Sequence, residues 1–284
     1  MGAALRIATR GSPLALWQAN AVAARLGQDA EIVIVKTEGD RKSDVPLETL
    51  AGRGVFTTEV QAAVLDGRAD VAVHSAKDLP SSPELQADGL VLACVPERAD
   101  ARDCLIGSTL AALPRGATVG TGSARREALL RHLRPDLQFA PLRGNIATRL
   151  ARVGELDAIV GAVAALTRLG EGARIGESFD PDVFVPQVAQ GALAVECRAD
   201  DAATRERLAA IDDADAHTAV LAERAFLATL GGGCDAPVGA HARLVDGEIR
   251  LVAFYAHHAE QLWWHGSGTD PVAVGTSVAQ AIVS

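Results

Sequence analysis

Short apolar runs alternate along this chain with longer segments whose apolar residues recur every three or four positions, and polar, glycine-bearing stretches separate them. Leu5 to Thr9 reads as an opening strand and Arg10-Gly11-Ser12-Pro13 as the turn after it. Ser12 can cap a helix that Pro13 starts, and Leu14, Leu16, Trp17, Ala21, Val22 and Leu26 give that helix an apolar side. Glu31 to Lys36 is a second strand, so strand, helix and strand form a right-handed βαβ unit in a parallel sheet. Thr37 to Gly54 loses its periodicity and reads as a long flap, either a lid or a disordered segment, before a helix resumes over Phe56 to Leu65. A third strand runs from Asp70 into the polar cluster His74-Ser75-Ala76-Lys77-Asp78. Further strands fall at Leu90 to Val95, Ala117 to Gly120 and Leu193 to Val195, with a helix opening on Ala124 and a strand or helix start over Asp157 to Leu166. From Thr218 the pattern is helical up to Leu230, and Ala240 to Val245 and Glu248 to Tyr255 then alternate around Asp246-Gly247, a strong hairpin signal. Strands interleaved with helices predict α/β layers, and the last part of the chain is of α+β type.

A length of 284 residues fits two domains, or three if they are small, and 49% hydrophobic residues suffice for packed cores. The net charge of -9 argues against a nucleic-acid partner, although an acidic chain can still hold a basic site. The longest apolar run, around Ala158 to Leu166, is too short for a membrane helix, and Met1 to Arg6 has no secretory core, so the sequence reads as cytoplasmic. Cys94, Cys104, Cys197 and Cys234 show no paired spacing, which argues for reduced thiols and against a zinc site or a disulfide framework.

Candidate chemistry sits where strands end. Arg10 beside a helix start makes either an anion site or a solvated turn residue. Lys77, one of only three lysines, lies next to Asp78 at a strand end, as a local ion pair or as part of a site. Ser75 and Lys77 lack the Ser-x-x-Lys spacing of a hydrolase dyad. Between Arg115 and Arg152 arginines crowd together, with only Glu127 and Asp136 opposing them inside that window. Gly120-Thr121-Gly122 is half of a dinucleotide fingerprint, but Arg125 stands where the third glycine would pack, which disfavours NAD. Arg125 and Arg126 at a helix start suit carboxylates, which guanidinium forks match, and Leu142-Arg143-Gly144-Asn145 repeats the theme with Arg149 further along. Finally, Gly231-Gly232-Gly233-Cys234-Asp235-Ala236-Pro237 delivers one cysteine from a glycine triplet, either a plain turn or a thiol held out to carry a group.

Taken together, Arg6 to Ala15, Ala72 to Asp78, Arg125-Arg126, Leu142 to Asn145, Glu196-Cys197-Arg198 and Gly232 to Pro237 resemble the porphobilinogen deaminase (hydroxymethylbilane synthase) family over nearly the full length. The resemblance implies two periplasmic-binding-protein-like (type II) α/β domains plus a small α+β C-terminal domain. Domain 1 would comprise residues 1–93 and 192–212, domain 2 residues 94–191, and domain 3 residues 213–284 with the cofactor cysteine. A dipyrromethane cofactor would be joined by a thioether to Cys234 and held by Ser75, Lys77, Thr121, Ser123, Arg125, Arg126 and Arg143. Asp78 would be the catalytic residue, and Arg10, Ser12, Arg149, Arg168, Phe56 and Gln190 would hold porphobilinogen and the growing chain. The implied enzyme is a monomer of tetrapyrrole (heme) biosynthesis. Thr49, Gly122 and Ala189 depart from the family pattern, which has a basic residue, Ser and Gly there, and Ser284 falls within a segment that reads as a helix. Two rival classes are a non-catalytic two-lobed binding protein for a small polycarboxylate, and an acyl-transferring cysteine enzyme with His241 as its base.

Overall fold

The computed structural model describes residues 4–27, 30–37, 57–231, 237–257 and 260–283. The chain divides into two compact units, Met1–Arg98 with Ala192–Val220, and Ala99–Gly191 with Leu221–Ser284.

In the first unit, strands β1 (Leu5–Arg10) and β2 (Ala30–Val35) flank helix α1 (Pro13–Leu26). The helix starts as its sequence requires: Pro13 needs no N–H partner, and the Ser12 hydroxyl accepts from the Ala15 N–H at 3.3 Å. It stops at Gly27, whose φ of 75° places it in the left-handed region that ends helices. Helix α2 (Thr58–Leu65), strand β3 (Val71–Ser75) and strand β4 (Leu90–Cys94) follow, and strand β10 (Leu193–Arg198) and helix α6 (Ala202–Ala209) join from later in the chain. The five-stranded sheet has the order β2-β1-β3-β10-β4. β1, β2 and β3 are parallel, as the βαβ pattern predicts, but β10 runs antiparallel to both its neighbours, so the sheet is mixed. Period-two alternation sends Ile7, Val71 and Val73 to one face, where they pack with Ala19 and Val22 of α1, and Ala8 and Ala72 to the other, with Val60 and Val64 of α2.

The second unit repeats the plan with strands β5 (Asp103–Ile106), β6 (Thr118–Thr121), β7 (Gln138–Pro141), β8 (Ala158–Ala162) and β9 (Ile175–Ser178). Helix α3 (Ala124–Leu133) joins β6 to β7, helix α4 (Ile146–Leu150) lies between β7 and β8, and helix α5 (Val163–Arg168) follows β8. The ambiguous stretch before Arg168 is therefore a strand and then a helix. The order β7-β6-β8-β5-β9 repeats the first sheet's arrangement in space: three parallel strands as second, first, third, then an antiparallel strand, then an edge strand antiparallel to it. The antiparallel strand, however, comes last in the chain in the first sheet and first in the second. Two such sheets with helical connections form the expected pair of periplasmic-binding-protein-like α/β folds.

Helix α7 (Ala214–Leu230) begins four residues before its apolar pattern suggests, with Asp213 accepting from the Ala216 N–H at 2.9 Å. Strands β11 (Val238–Val245), β12 (Glu248–His257) and β13 (Glu260–Gly268) form an antiparallel sheet, and helix α8 (Pro271–Val283) packs on it. Asp246 and Gly247 both have positive φ, 55° and 78°, the geometry a two-residue hairpin turn demands. This sheet shares a core with the second unit: Val252 and Phe254 pack with Leu129, Leu130 and Phe184, and Trp263 rests on Phe254 with ring centroids 4.9 Å apart. Trp263 is thus a packing residue.

Gly191 closes the second unit in a conformation only glycine tolerates well. Its φ is +88°, and a Cβ there would sit 2.4 Å from the Ala99 carbonyl oxygen. Gly191→Ala should destabilise the protein by about 2 kcal/mol or more, because left-handed strain and a backbone clash add. A urea midpoint equal to that of the parent, at unchanged slope, would contradict this.

Candidate functional site

In open α/β sheets ligands bind beyond the carboxyl ends of the parallel strands, and each unit places several of its candidate residues there. In the first unit, Arg10 ends β1 and is half-buried, and Ser12 follows as the cap of α1. Ser75 ends β3 and accepts a hydrogen bond from Gln18 Nε2 of α1 at 2.7 Å. The Ala76 N–H bonds to the Ala192 carbonyl at 3.1 Å, and a single 3-10 turn, Ala76–Asp78, presents Lys77 half-buried and Asp78 exposed. On the opposite face of β3, buried His74 lies 3.1 Å from Glu196 Oε2, and Gln61 Nε2 donates to the same carboxylate at 2.9 Å. The strand that delivers Lys77 and Asp78 is therefore braced by polar contacts on both faces.

In the second unit, the loop Thr121-Gly122-Ser123 links β6 to α3. The Ser123 N–H donates to Thr121 Oγ1 at 3.2 Å, and the Ser123 hydroxyl accepts from the Arg126 N–H at 3.5 Å, capping the helix. The Leu142 N–H bonds to the Thr121 carbonyl at 3.2 Å, which sets exposed Arg143 next to that loop. Arg149 Nε donates to the Gly144 carbonyl at 2.7 Å and so folds back on the loop before α4. Arg168, at the end of α5, donates through Nη2 to the Gly191 carbonyl at 2.6 Å. Phe56 and Cys234, with most of the flap, lie outside the described residues.

Arg125 and Arg126 turn inward. Both reach Asp103, the first residue of β5, which has no exposed surface. Arg125 Nη1 donates to Oδ2 at 2.7 Å and to the Val185 carbonyl at 2.6 Å, while Arg126 Nε and Nη2 donate to Oδ1 at 2.9 and 2.7 Å. Gln190 Nε2 adds a third donor to Oδ1 at 3.0 Å and also bonds the Ala101 carbonyl at 2.8 Å. Burial alone would raise the Asp103 carboxyl, but the charges of Arg125 and Arg126, with the hydrogen bonds from Arg125 and Gln190, outweigh it and hold the group ionised below the usual carboxylate range. Much of the remaining basic stretch is also paired, Arg131 with Glu127 at 2.9 Å, Arg134 with Asp136 at 2.8 Å and Arg152 with Glu155 at 2.6 Å.

Asp103 and Glu196 were not nominated from the sequence. The signal for Asp103 was a carboxylate opening the wholly buried strand Asp103-Cys104-Leu105-Ile106, since a buried acid needs cationic or multiple hydrogen-bonding partners. Counting only the charges between Arg115 and Arg152 hid it.

A family model described as "Porphobilinogen deaminase, dipyromethane cofactor binding domain" matches residues 5–206, and one described as "Porphobilinogen deaminase, C-terminal domain" matches residues 217–284. The chain belongs to the porphobilinogen deaminase family. The porphobilinogen deaminase of Syntrophotalea carbinolica is 46% identical over 89% of this chain and 82% of that protein. That of Roseiflexus sp. strain RS-1 is 45% identical over 98% of this chain and 95% of its own length. Among solved structures, an arginine-specific periplasmic binding protein of Salmonella typhimurium aligns at 14% identity over 74% of this chain and 92% of that one, with a TM-score of 0.38.

Two departures from the porphobilinogen deaminase pattern have local settings. A Cβ at Gly122 would stand 2.7 Å from the Leu142 carbonyl oxygen, so the loops meet here more closely than a serine permits. Ala189 keeps the left-handed backbone suited to glycine, with φ of 59°, and its N–H donates to buried Glu223 at 2.6 Å. His241, the base required by the cysteine-enzyme rival, lies with Nδ1 3.6 Å from that same Glu223.

The three described cysteines are buried and free. Burial, aided by Asp212, pushes the Cys94 thiol up to about 12; burial, opposed by Arg126, pushes Cys104 up to about 12; and burial raises Cys197. All three should stay protonated and unreactive near neutral pH. A thiol-specific reagent at pH 7.5 should therefore label at most Cys234 in the native protein and all thiols after unfolding. Rapid native labelling of two or more would contradict this.

Proposed function

We infer that this chain deaminates four porphobilinogen units, condenses them head to tail on a covalently held dipyrromethane primer, and releases hydroxymethylbilane for tetrapyrrole and heme biosynthesis. The observation that carries the reading is the match to the family's cofactor-binding domain over residues 5–206. The polycarboxylate binding protein is disfavoured, because neither family model describes a transport receptor.

The donors present fit a dipyrromethane, each ring of which carries an acetate and a propionate. Ser75, Lys77, Thr121, Ser123 and Arg143 are hydroxyl and cationic groups at or just after strand ends, where carboxylates are bound well. Gly122 lets two loop backbones close together without a side chain between them. Arg125 and Arg126 add their charge from beneath. Cys234 would provide the thioether and, when bound, the cofactor supplies the free α-carbon from which elongation proceeds. Arg10, Ser12, Arg149, Arg168 and Phe56 are proposed to serve the incoming unit and the lengthening product, whereas Gln190, buried and bonded to Ala101 and Asp103, is not.

Asp78 is proposed as the catalytic residue. Breaking the C–N bond of the protonated aminomethyl group (an ammonium at neutral pH) releases ammonia and leaves an electron-poor, azafulvenium-type carbon on the substrate. The Asp78 carboxylate beside the pyrrole N–H stabilises that positive charge, and it accepts the proton lost once the new C–C bond has formed. Exposure at a strand end leaves Asp78 accessible for such work, and the contacts around Ser75 hold the turn that carries it.

We further propose three domains, residues 1–93 with 192–212, 94–191, and 213–284, in a cytoplasmic monomer. A net charge of -9 supports a small-molecule substrate over nucleic acid, and among the described residues no helix is long and apolar enough to cross a membrane.

Intact mass after denaturation tests the reading directly. The wild type should be heavier than its sequence by two linked porphobilinogen units, either as isolated or after incubation with porphobilinogen, and Cys234→Ser should not. Continued absence of added mass in the wild type would sink the proposal. Asp78→Ala should keep the fold, by circular dichroism, and lose at least about a hundredfold in turnover, the scale of a lost acid–base group. A mutant turning over at the wild-type rate would remove Asp78 from the mechanism.

A further inference from the structure

Two cations and one anion are buried together where β5 meets the start of α3, and their arrangement bears on how carboxylates are held. The Nε/Nη2 edge of Arg126, the edge that would fork onto a ligand carboxylate, is already engaged by Asp103 Oδ1. Arg125 is 3% exposed and gives one nitrogen to both Asp103 and Val185. Gln190 is 1% exposed, and its amide nitrogen donates to Asp103 and the Ala101 carbonyl, both within the protein. Asp103 balances only one of the two guanidinium charges, so the cluster keeps one positive charge in a medium where charge is weakly screened. The same two arginines open the helix that Ser123 caps, directly behind Thr121 and Ser123.

We propose that Asp103 and Gln190 are positioning residues: they fix the two arginines from within, and so set both the residual positive charge and the seat of the Thr121-Gly122-Ser123 loop for the carboxylates of the dipyrromethane. This rests on the functional reading above and goes beyond it, because it gives Gln190 an inward task in place of substrate contact and gives Asp103 a part that no motif suggested. Removing the carboxylate would leave two buried guanidiniums to repel one another and to reorient. Leu105, fully buried in the same strand, provides a control whose loss weakens the core without removing a hydrogen-bond partner of the arginines.

The test uses full-length apo-protein, made in cells unable to synthesise porphobilinogen and then incubated with porphobilinogen, with covalent loading followed by intact mass after denaturation. Asp103→Asn, folded by circular dichroism, should load at least about tenfold more slowly than wild type, while Leu105→Ala, matched to it in lost thermal stability, stays within about twofold of wild type. Loading of Asp103→Asn at the wild-type rate, or equal slowing of both variants, would overturn the proposal, the latter by reducing Asp103 to a stabilising residue. If Asp103→Asn does not fold, Arg126→Lys keeps the charge but not the fork; slow loading is then expected, and wild-type loading overturns the proposal. A wild type that never gains mass overturns the functional reading itself, an outcome distinct from all of these.

Discussion

One ionised carboxylate in a dry interior, accepting from two guanidiniums and an amide, holds the second unit together at the place where its helix α3 begins. Burying three charges costs several kcal/mol per ion before any pairing, so the arrangement persists only while every partner is in place. Asp103 supplies β5, Arg125 and Arg126 supply α3, and Val185 and Gln190 supply the segment leading to the end of the unit. The neighbouring antiparallel sheet closes over the same spot. Gly239 of β11 lies so near the Val185 and Pro186 carbonyls that a Cβ would come within 2.7 Å of each. Strand, helix, connecting segment and third sheet thus share a single electrostatic anchor.

Much of this could be read from the residues. The Ser12-Pro13 helix start, the Asp246-Gly247 hairpin, the polar strand end at Ser75 to Asp78 and the family itself were legible, because each rests on local chemistry or on a contiguous motif. Three features were not. The antiparallel direction of β10 depends on where the chain re-enters the first unit, and period-two alternation carries no direction. The start of α7 at Ala214 depends on the Asp213 side chain bonding to the helix's free N–H groups, not on its apolar face. The fate of Arg125 and Arg126 depends on an acid more than twenty residues away in sequence. A charge count along a window measures composition and cannot see a partner supplied by another strand.

The two five-stranded sheets solve the same problem twice. In each, a cap or polar turn follows the parallel strands at their carboxyl ends, so hydroxyls and backbone N–H groups collect where anions are best received. They differ in how they handle charge. The first unit presents Lys77 and Asp78 outward on a short turn, whereas the second draws a pair of arginines beneath its loop and offers Arg143 above.

The strand order also dictates when each unit can exist. β10 sits between β3 and β4, yet Leu193, which pairs with Ser75, is made on the order of a hundred residues later, after the whole sheet of the second unit has emerged. Until then β3 and β4 lack the strand that joins them, and two apolar edges stand unpaired. A ribosome making this chain therefore completes the second α/β sheet before the first can close. The part that begins the sequence is finished late in folding, and it is the half whose exposed edges most need protection from neighbouring chains.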